Sequence, residues 1–388
     1  MERIFRLLSP SSETSYLYVD NRSALEVLLD NMQKAQRIAL DTEADSLHHY
    51  YEKVCLIQLT INSKNFIVDP LADIDLSEFM TLLSQKPLIF HGADYDLRML
   101  YAWNGFKPAS EIFDTMLAAQ LLGLEHLGLV AIDEKFLNVT LSKTGQKSDW
   151  ADRPLTQTQL EYACNDTRYL DALADRLAHE LERLGRLSWH QETCERLTHA
   201  VTLEKEPPDP DKVWRIRGIS SLHPQQLEFV KQLWHWRQAE AQQADRPPFK
   251  IMSNHLMIEL AVWLAHGHDL RQNGGPKLPR NCTNHRFKNL ENAVNRAKNT
   301  TSSQWPQHPK QRKFKPFEEH TLKIFDKMYA CCAQLANDLK LPASLIASRA
   351  VLLAIAKENP LSLDKMVRTG CLMQWQADLL RPAFEDTK

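Results

Sequence analysis

Long apolar runs are missing from this 388-residue chain. None approaches the roughly 20 residues that a membrane-spanning helix needs, so no membrane partner is expected. The N-terminus, MERIFRLLSP, has neither a long apolar core nor a small-residue cleavage site, and it does not read as a secretory signal. Seven cysteines are present, an odd number, and no two form a C-x-x-C pair; a disulfide framework and a zinc ribbon are therefore not expected. A G-x-x-x-x-G-K-[ST] phosphate loop is lacking too. Gly123 to Gly128 has its glycine spacing but continues Leu-Val, so no nucleoside triphosphate is expected as a partner. What remains is the balance of a soluble globular protein, with 43% hydrophobic and 25% charged residues. Reduced cysteines place it in the cytoplasm, and a monomer is expected.

Charge is unevenly placed. The net charge is −2, yet between Arg271 and Lys315 eleven Lys and Arg stand against one acid, Glu291. The rest of the chain holds 36 basic and 48 acidic residues. A basic segment on an acidic body suits a polyanion, because clustered charge steers phosphates without making the whole protein basic.

Strands and helices mix in the first half. Strand patterns cover 16–19, 37–41, 54–61, 66–68 and 87–91. Helical spacing covers 22–35, 76–84, 94–103, 115–122 and a long run from about 157 to 186. "VCLIQLTI", "NSKN" and "FIVD" read as a hairpin, so at least one strand pair is antiparallel and the sheet is mixed. "EKEPPDPDK" (204–212), with three prolines, forbids a helix and reads as an extended linker. Beyond it strand signals vanish, and helical spacing runs through 224–237 and 254–265. A second polar, basic, proline-containing break, 299–313, separates these from helices over 321–337, 343–358, 361–369 and 373–381.

The chemistry concentrates in "IALDTEAD". Alternate residues of a strand share a face, so Asp41 and Glu43 point the same way. Two carboxylates about 4 Å apart repel by roughly 4 kcal/mol at an effective dielectric near 20, so such a pair calls for water or for a cation. Further acids stand at other element ends. "IFHGADYDLRML" is a strand, a glycine turn and a helix start carrying Asp94 and Asp96. In "LEYACNDTRYL", Tyr162 and Asp166 stand four apart on one helix face. Convergent carboxylates without paired histidines or cysteines suit hard cations, Mg²⁺ or Mn²⁺. Two such ions are able to clamp the attacking and leaving oxygens of a phosphodiester.

"ALDTEAD", "IFHGADYDLRML", "IFDTMLAAQLLG" and "QKSDWADRPLTQTQLEYACNDTRYL" together resemble the ribonuclease D family of DEDD exonucleases, over roughly residues 15 to 195. The resemblance implies a ribonuclease-H-like α/β exonuclease domain with a mixed sheet. It implies four metal-binding acids, Asp41, Glu43, Asp96 and Asp166, and two divalent ions. Tyr162 marks the tyrosine subclass, because the sister subclass has a histidine where this chain has Glu161. The implied reaction is stepwise hydrolysis of an RNA 3′ end, with transfer-RNA precursors as the family's suggested substrate. A DNA exonuclease would use the same acids, and a non-catalytic RNA-binding or helicase-accessory protein is the other alternative. A phenol, with a pKa near 10, serves better to position water than as a base. Asp114 reads as an N-cap. His91, Lys143, Gln146 and Lys147 are candidate substrate contacts, and "HHYY" (48–51) is either a stacking surface or a core-edge cluster.

Val213 to Ala261 resembles the HRDC module, a helical nucleic-acid-binding domain, and the segment from about Phe314 resembles a more divergent copy. Trp234, Trp236 and Trp263 read as core. The basic run 277–289, with Arg280, Arg286 and Lys288, reads as an RNA contact. The expected organisation is an exonuclease domain 1–203, a linker 204–212, a first all-α HRDC-like domain 213–298, a basic linker 299–313 and a second 314–388.

Overall fold

The computed structural model describes residues 15–142, 144–145, 147–203, 209–309, 317–358 and 363–385. The chain divides into two compact units. One comprises 1–44, 54–203 and 315–388, the other 45–53 and 204–314.

The first unit is built on a six-stranded mixed sheet. In chain order it contains β1 (Tyr16–Val19), α1 (Arg22–Lys34), β2 (Ile38–Ala44), β3 (Val54–Ile61), β4 (Lys64–Val68), α2 (Ser77–Ser84), β5 (Leu88–Phe90), α3 (Asp94–Asn104), β6 (Ile112–Asp114), α4 (Thr115–Leu121), α5 (Leu129–Leu137), α6 (Gln157–Arg168), α7 (Leu170–Arg183) and α8 (Leu187–Thr202). Strand order is β1-β4-β3-β2-β5-β6. β2–β3 and β3–β4 are antiparallel; the other pairs are parallel. The β3–β4 hairpin turns through Asn62 and Ser63, both at positive φ (47° and 64°), as a tight two-residue turn requires.

Alternation along the strands divides the core. Ile38 and Leu40 of β2, with Leu88 and Phe90 of β5, join Leu25, Phe79 and Leu97 from α1, α2 and α3 in one apolar cluster. Ala39 and Ile89 face the opposite way, into a cluster with α4, α5 and α7. β3 is buried along its whole length, as a strand covered on both faces must be.

Several elements differ from expectation. β2 continues through Ala44 instead of stopping at Asp41, so both acids of D-T-E lie within the strand, paired with Gln58 and Leu56 of β3. The long helix expected over 157–186 is interrupted at Tyr169 and becomes α6 and α7. β6, α5 and α8 carried no assignment; β6 is only three residues, too short for a period to show.

Asp114 does more than cap α4. Its Oδ1 accepts from Met116 N (2.8 Å), Leu117 N (3.2 Å) and Gly92 N (3.0 Å), and its Oδ2 accepts from Ala93 N (2.8 Å). One buried carboxylate thus fixes the turn that leads into α3 as well as the start of α4.

Residues 315–388 belong to this same unit. They supply α13 (Glu319–Leu339), α14 (Ala343–Ile346), α15 (Arg349–Glu358), α16 (Leu363–Arg368) and α17 (Gln374–Glu385). The second unit contains α9 (Pro224–Gln243), α10 (Pro248–Ile251), α11 (Asn254–Ala265) and α12 (Asn284–Asn299). A long helix, a one-turn helix and a medium helix follow one another in both sets: 20, 4 and 12 residues in α9–α11, and 21, 4 and 10 in α13–α15. In the second unit Trp236 is buried, and Trp234 and Trp263 pack on the same apolar cluster, so all three are core. Tyr50 packs there too, and His49 Nδ1 and Tyr50 N both bond to Asp245 (2.8 and 3.1 Å). Tyr50 of "HHYY" therefore belongs to a core edge, whereas Tyr51 is 57% exposed. Among the described residues no helix is long and apolar enough to cross a membrane.

Replacing Asp114 with Ala removes four acceptor contacts from buried N–H groups. We expect a loss of about 2 kcal/mol or more, measured as a lower urea midpoint at unchanged slope.

Candidate active site

The apolar lead-in of β2 anchors that strand in the middle of the sheet, and its polar end presents the acids. Asp41, Glu43 and Asp166 each offer a carboxylate oxygen, and the three oxygens lie within 4.8 Å of one another. Asp166 stands one turn after Tyr162 on α6, and the Tyr162 hydroxyl donates to its carboxylate. Asp96, from the first turn of α3, is only 5% exposed. Its Oδ1 accepts from Thr42 N (2.9 Å) and from Thr42 Oγ1 (2.7 Å). The residue between the two strand acids therefore fixes the fourth acid. Asp94, the other candidate on α3, is exposed and forms a doubly bonded pair with Arg98 (2.8 and 2.7 Å), so it has a different job.

Crowding shifts every one of these groups. Burial raises the Asp41 carboxyl well above the usual range, and Asp96, Asp166 and Glu43 add to the rise. Glu43 is pushed up to about 9 by burial, then by Asp166 and Asp96. Asp166 reaches about 7 through burial, against the pull of the Tyr162 hydroxyl. Asp96 reaches only about 6, because the two Thr42 bonds oppose the effect of burial. The Tyr162 phenol is pushed up by burial and then by the surrounding carboxylates, so at neutral pH it is a hydrogen-bond donor and not a base.

Asp41, Glu43 and Asp166 line a cavity of about 720 Å³ whose wall includes Tyr95, Asn165 and the segment from Glu125 to Ala131. His91 also lines it, with Nδ1 2.9 Å from Thr115 Oγ1 and a ring bond to the Leu127 backbone. Burial lowers its pKa, and its contacts make it a brace for the cavity wall.

Of the remaining candidates, Lys147 belongs to the first unit and Arg280, Arg286 and Lys288 to the second. Lys143 and Gln146 lie outside the described residues, and Lys147 is exposed on the same loop. Arg280 and Lys288 are exposed residues of the second unit. Arg286 is not a free cation there: its guanidinium donates to Glu240 Oε2 (3.2 Å) and Asn281 O (3.1 Å), which builds it into the fold. Sequence reasoning passed over Thr42, although a hydroxyl between two acids is a visible signal. It also passed over Asp133 in "LVAIDEKFL". That acid is fully buried on α5, neither of its oxygens has a hydrogen-bond partner among the described residues, and burial lifts its pKa to about 7. Its charge adds to the rise of Asp166.

Comparison with known proteins agrees with this geometry. A 3′-5′ exonuclease family model matches residues 16–182, and an HRDC domain model matches residues 226–264. A ribonuclease D from Xanthomonas oryzae pv. oryzae is 32% identical over 331 residues, covering 83% of this chain and 87% of that protein. This chain belongs to the ribonuclease D family. A second ribonuclease D, from Shewanella sp. strain ANA-3, is 34% identical over 250 residues, and that match spans 63% of each protein. Escherichia coli RNase D, an exoribonuclease involved in structured RNA processing, shares the fold at a TM-score of 0.64 and 22% identity, over 95% of this chain and 99% of that one. An α/β exonuclease domain with a mixed sheet, followed by helices that include an HRDC region, is thus the architecture of this ribonuclease D family member.

Three carboxylate oxygens within 4.8 Å, all from hard ligands with raised pKa values, fit divalent cations. Asp41, Glu43 and Asp166 would hold them, with Asp96 adjoining. Without metal, the folded state binds protons at these groups that the unfolded chain, with ordinary carboxylates, has already released. Stability of chelator-treated protein should therefore fall as pH rises from about 4, the ordinary carboxylate range, to about 9, where Glu43 loses its proton. Metal displaces those protons. Added Mg²⁺ or Mn²⁺ should raise Tm more near pH 8 than near pH 5.5, as calorimetry would show; an equal rise at both would contradict this account.

Proposed function

We propose that this ribonuclease D family member is a 3′–5′ exoribonuclease. It removes nucleotides stepwise from RNA with a free 3′ end and releases nucleoside 5′-monophosphates, with transfer-RNA precursors as the substrate class. The observation that carries this reading is the meeting of Asp41, Glu43 and Asp166 oxygens within 4.8 Å at the mouth of a nucleotide-sized cavity, inside a segment that matches a 3′-5′ exonuclease model.

The proposed cofactors are two divalent ions, Mg²⁺ or Mn²⁺. When bound, they would lower the pKa of water and stabilise the charge that develops on the scissile phosphodiester. The protein's own residues do the rest. Asp41, Glu43, Asp96 and Asp166 supply the negative ligand set, and Thr42 sets the angle of Asp96. Tyr162, neutral and already oriented on Asp166, directs the attacking water by its hydroxyl. The cavity wall at 125–131 and Tyr95 bound the space for the terminal nucleotide. We assign the protein to the cytoplasm as a monomer that needs no nucleoside triphosphate. It is organised as an exonuclease domain 1–203 and HRDC-like domains 213–298 and 314–388, with linkers at 204–212 and 299–313. Arg280 and Lys288, on the second unit, remain proposed RNA contacts.

Purified protein should release 5′-monophosphates from a 3′-labelled RNA with an unpaired tail, in Mg²⁺ or Mn²⁺ and not in chelator. Asp41→Asn should lower the rate by at least about a hundredfold, and Tyr162→Phe by about tenfold or more. A matched single-stranded DNA decides the nucleic-acid class: faster hydrolysis of DNA than RNA would make this a DNA exonuclease. No release from either substrate would leave a binding protein.

A further inference from the structure

Three features join the C-terminal helices to the wall of the cavity. Arg186, between α7 and α8, is 6% exposed and donates from Nη1 to the Leu121 carbonyl and from Nη2 to the Leu339 carbonyl, each at 2.7 Å. Leu121 ends α4 and Leu339 ends α13, so one guanidinium satisfies carbonyls that helix ends leave without partners. Two residues beyond Leu121, Gly123 (φ +76°) lies so close to α13 that a Cβ there would sit 2.2 Å from the Lys340 carbonyl oxygen. Finally, Leu122, Leu124, Leu127 and Leu129 share one apolar cluster with Leu345, Met373 and Trp375.

The docking behind these contacts is well built. Trp375 stacks on Trp189, with ring centroids 4.8 Å apart and planes 12° apart. The Glu192 carboxylate accepts from the backbone N–H of Gln374 and of Trp375, as a cap does at a helix start. Meanwhile residues 125–131 line the cavity, and His91 holds Leu127 from the side of the acids. The wall thus has two anchors, and the α13 end supplies one of them.

We propose that the C-terminal helical domain completes the nucleotide-binding wall of the active site, and that Arg186 is the positioning residue that carries its hold to the segment 121–128. The proposal rests on the exoribonuclease reading for what the cavity accepts. The acids stand on β2, α3 and α6, none of which meets α13 through Arg186. Loosening this anchor therefore displaces the wall and leaves the carboxylates in place. The signature is weaker substrate binding at nearly constant turnover.

Steady-state kinetics on a short single-stranded RNA in Mg²⁺ test this with the full chain. Arg186→Met and Gly123→Ala should raise KM by about tenfold, with kcat within about threefold of wild type. Arg186→Lys keeps the charge but not the two-pronged reach, and should fall between. Arg196→Ala removes a bond from the same docking surface to the Gly370 carbonyl, and should leave KM unchanged. Amide exchange of residues 121–128 should accelerate in Arg186→Met and Gly123→Ala. Unchanged KM and unchanged exchange in folded Arg186→Met would overturn the proposal, as would an equal effect of Arg196→Ala. If Gly123→Ala does not fold, the Arg186 pair and the exchange measurement still decide. Inactive wild type with faster exchange at 121–128 in Arg186→Met would sink the exonuclease reading and leave the positioning role standing.

Discussion

Three carboxylate oxygens within 4.8 Å of one another, with a fourth acid tied to the residue between two of them, repel unless positive charge or protons intervene. Much of the first unit can be understood as the means of holding that unfavourable grouping in place. β2 is locked between β3 and β5, with Ile38, Ala39 and Leu40 buried on both sides of the sheet. Repulsion between Asp41 and Glu43 therefore cannot be relieved by moving the strand. Asp96 is held from below by Thr42 and from behind by the turn that Asp114 fixes. Neither support carries positive charge, so neither competes for the cation that the cluster requires.

The same logic separates the roles of acids that look alike in sequence. Asp94 and Asp96 are two residues apart, yet one is in water beside Arg98 and the other is buried against Thr42. Asp133 is less exposed to solvent than any of the four, and among the described residues neither of its oxygens has the hydrogen bonds that a permanently charged carboxylate would need. Environment decides these assignments, through dielectric and hydrogen-bond partners.

The D-T-E strand end, the α3 start and the Tyr162–Asp166 turn were legible because each is a short-range pattern on an element with clear periodicity. The hairpin at Asn62 and Ser63 was legible for the same reason. β6 was not, because three residues carry no period. The break at Tyr169 was not, because apolar spacing continues across it and tertiary packing sets where the helix stops. The ion pair of Arg286 was not legible, since its acidic partner, Glu240, lies 46 residues away in sequence. Arg186 gave no signal at all: its partners are backbone carbonyls at Leu121 and Leu339, and carbonyls are the same in every sequence.

The division of the chain into units has a topological consequence. The backbone passes from one unit to the other four times, at 44/45, 53/54, 203/204 and 314/315. Ala44 ends β2 and Val54 begins β3, so the first crossing leaves directly from the strand that carries Asp41 and Glu43. The second crossing returns directly into β3, the neighbour of β2 in the sheet, so the excursion 45–53 is the connection between the two antiparallel strands at the site.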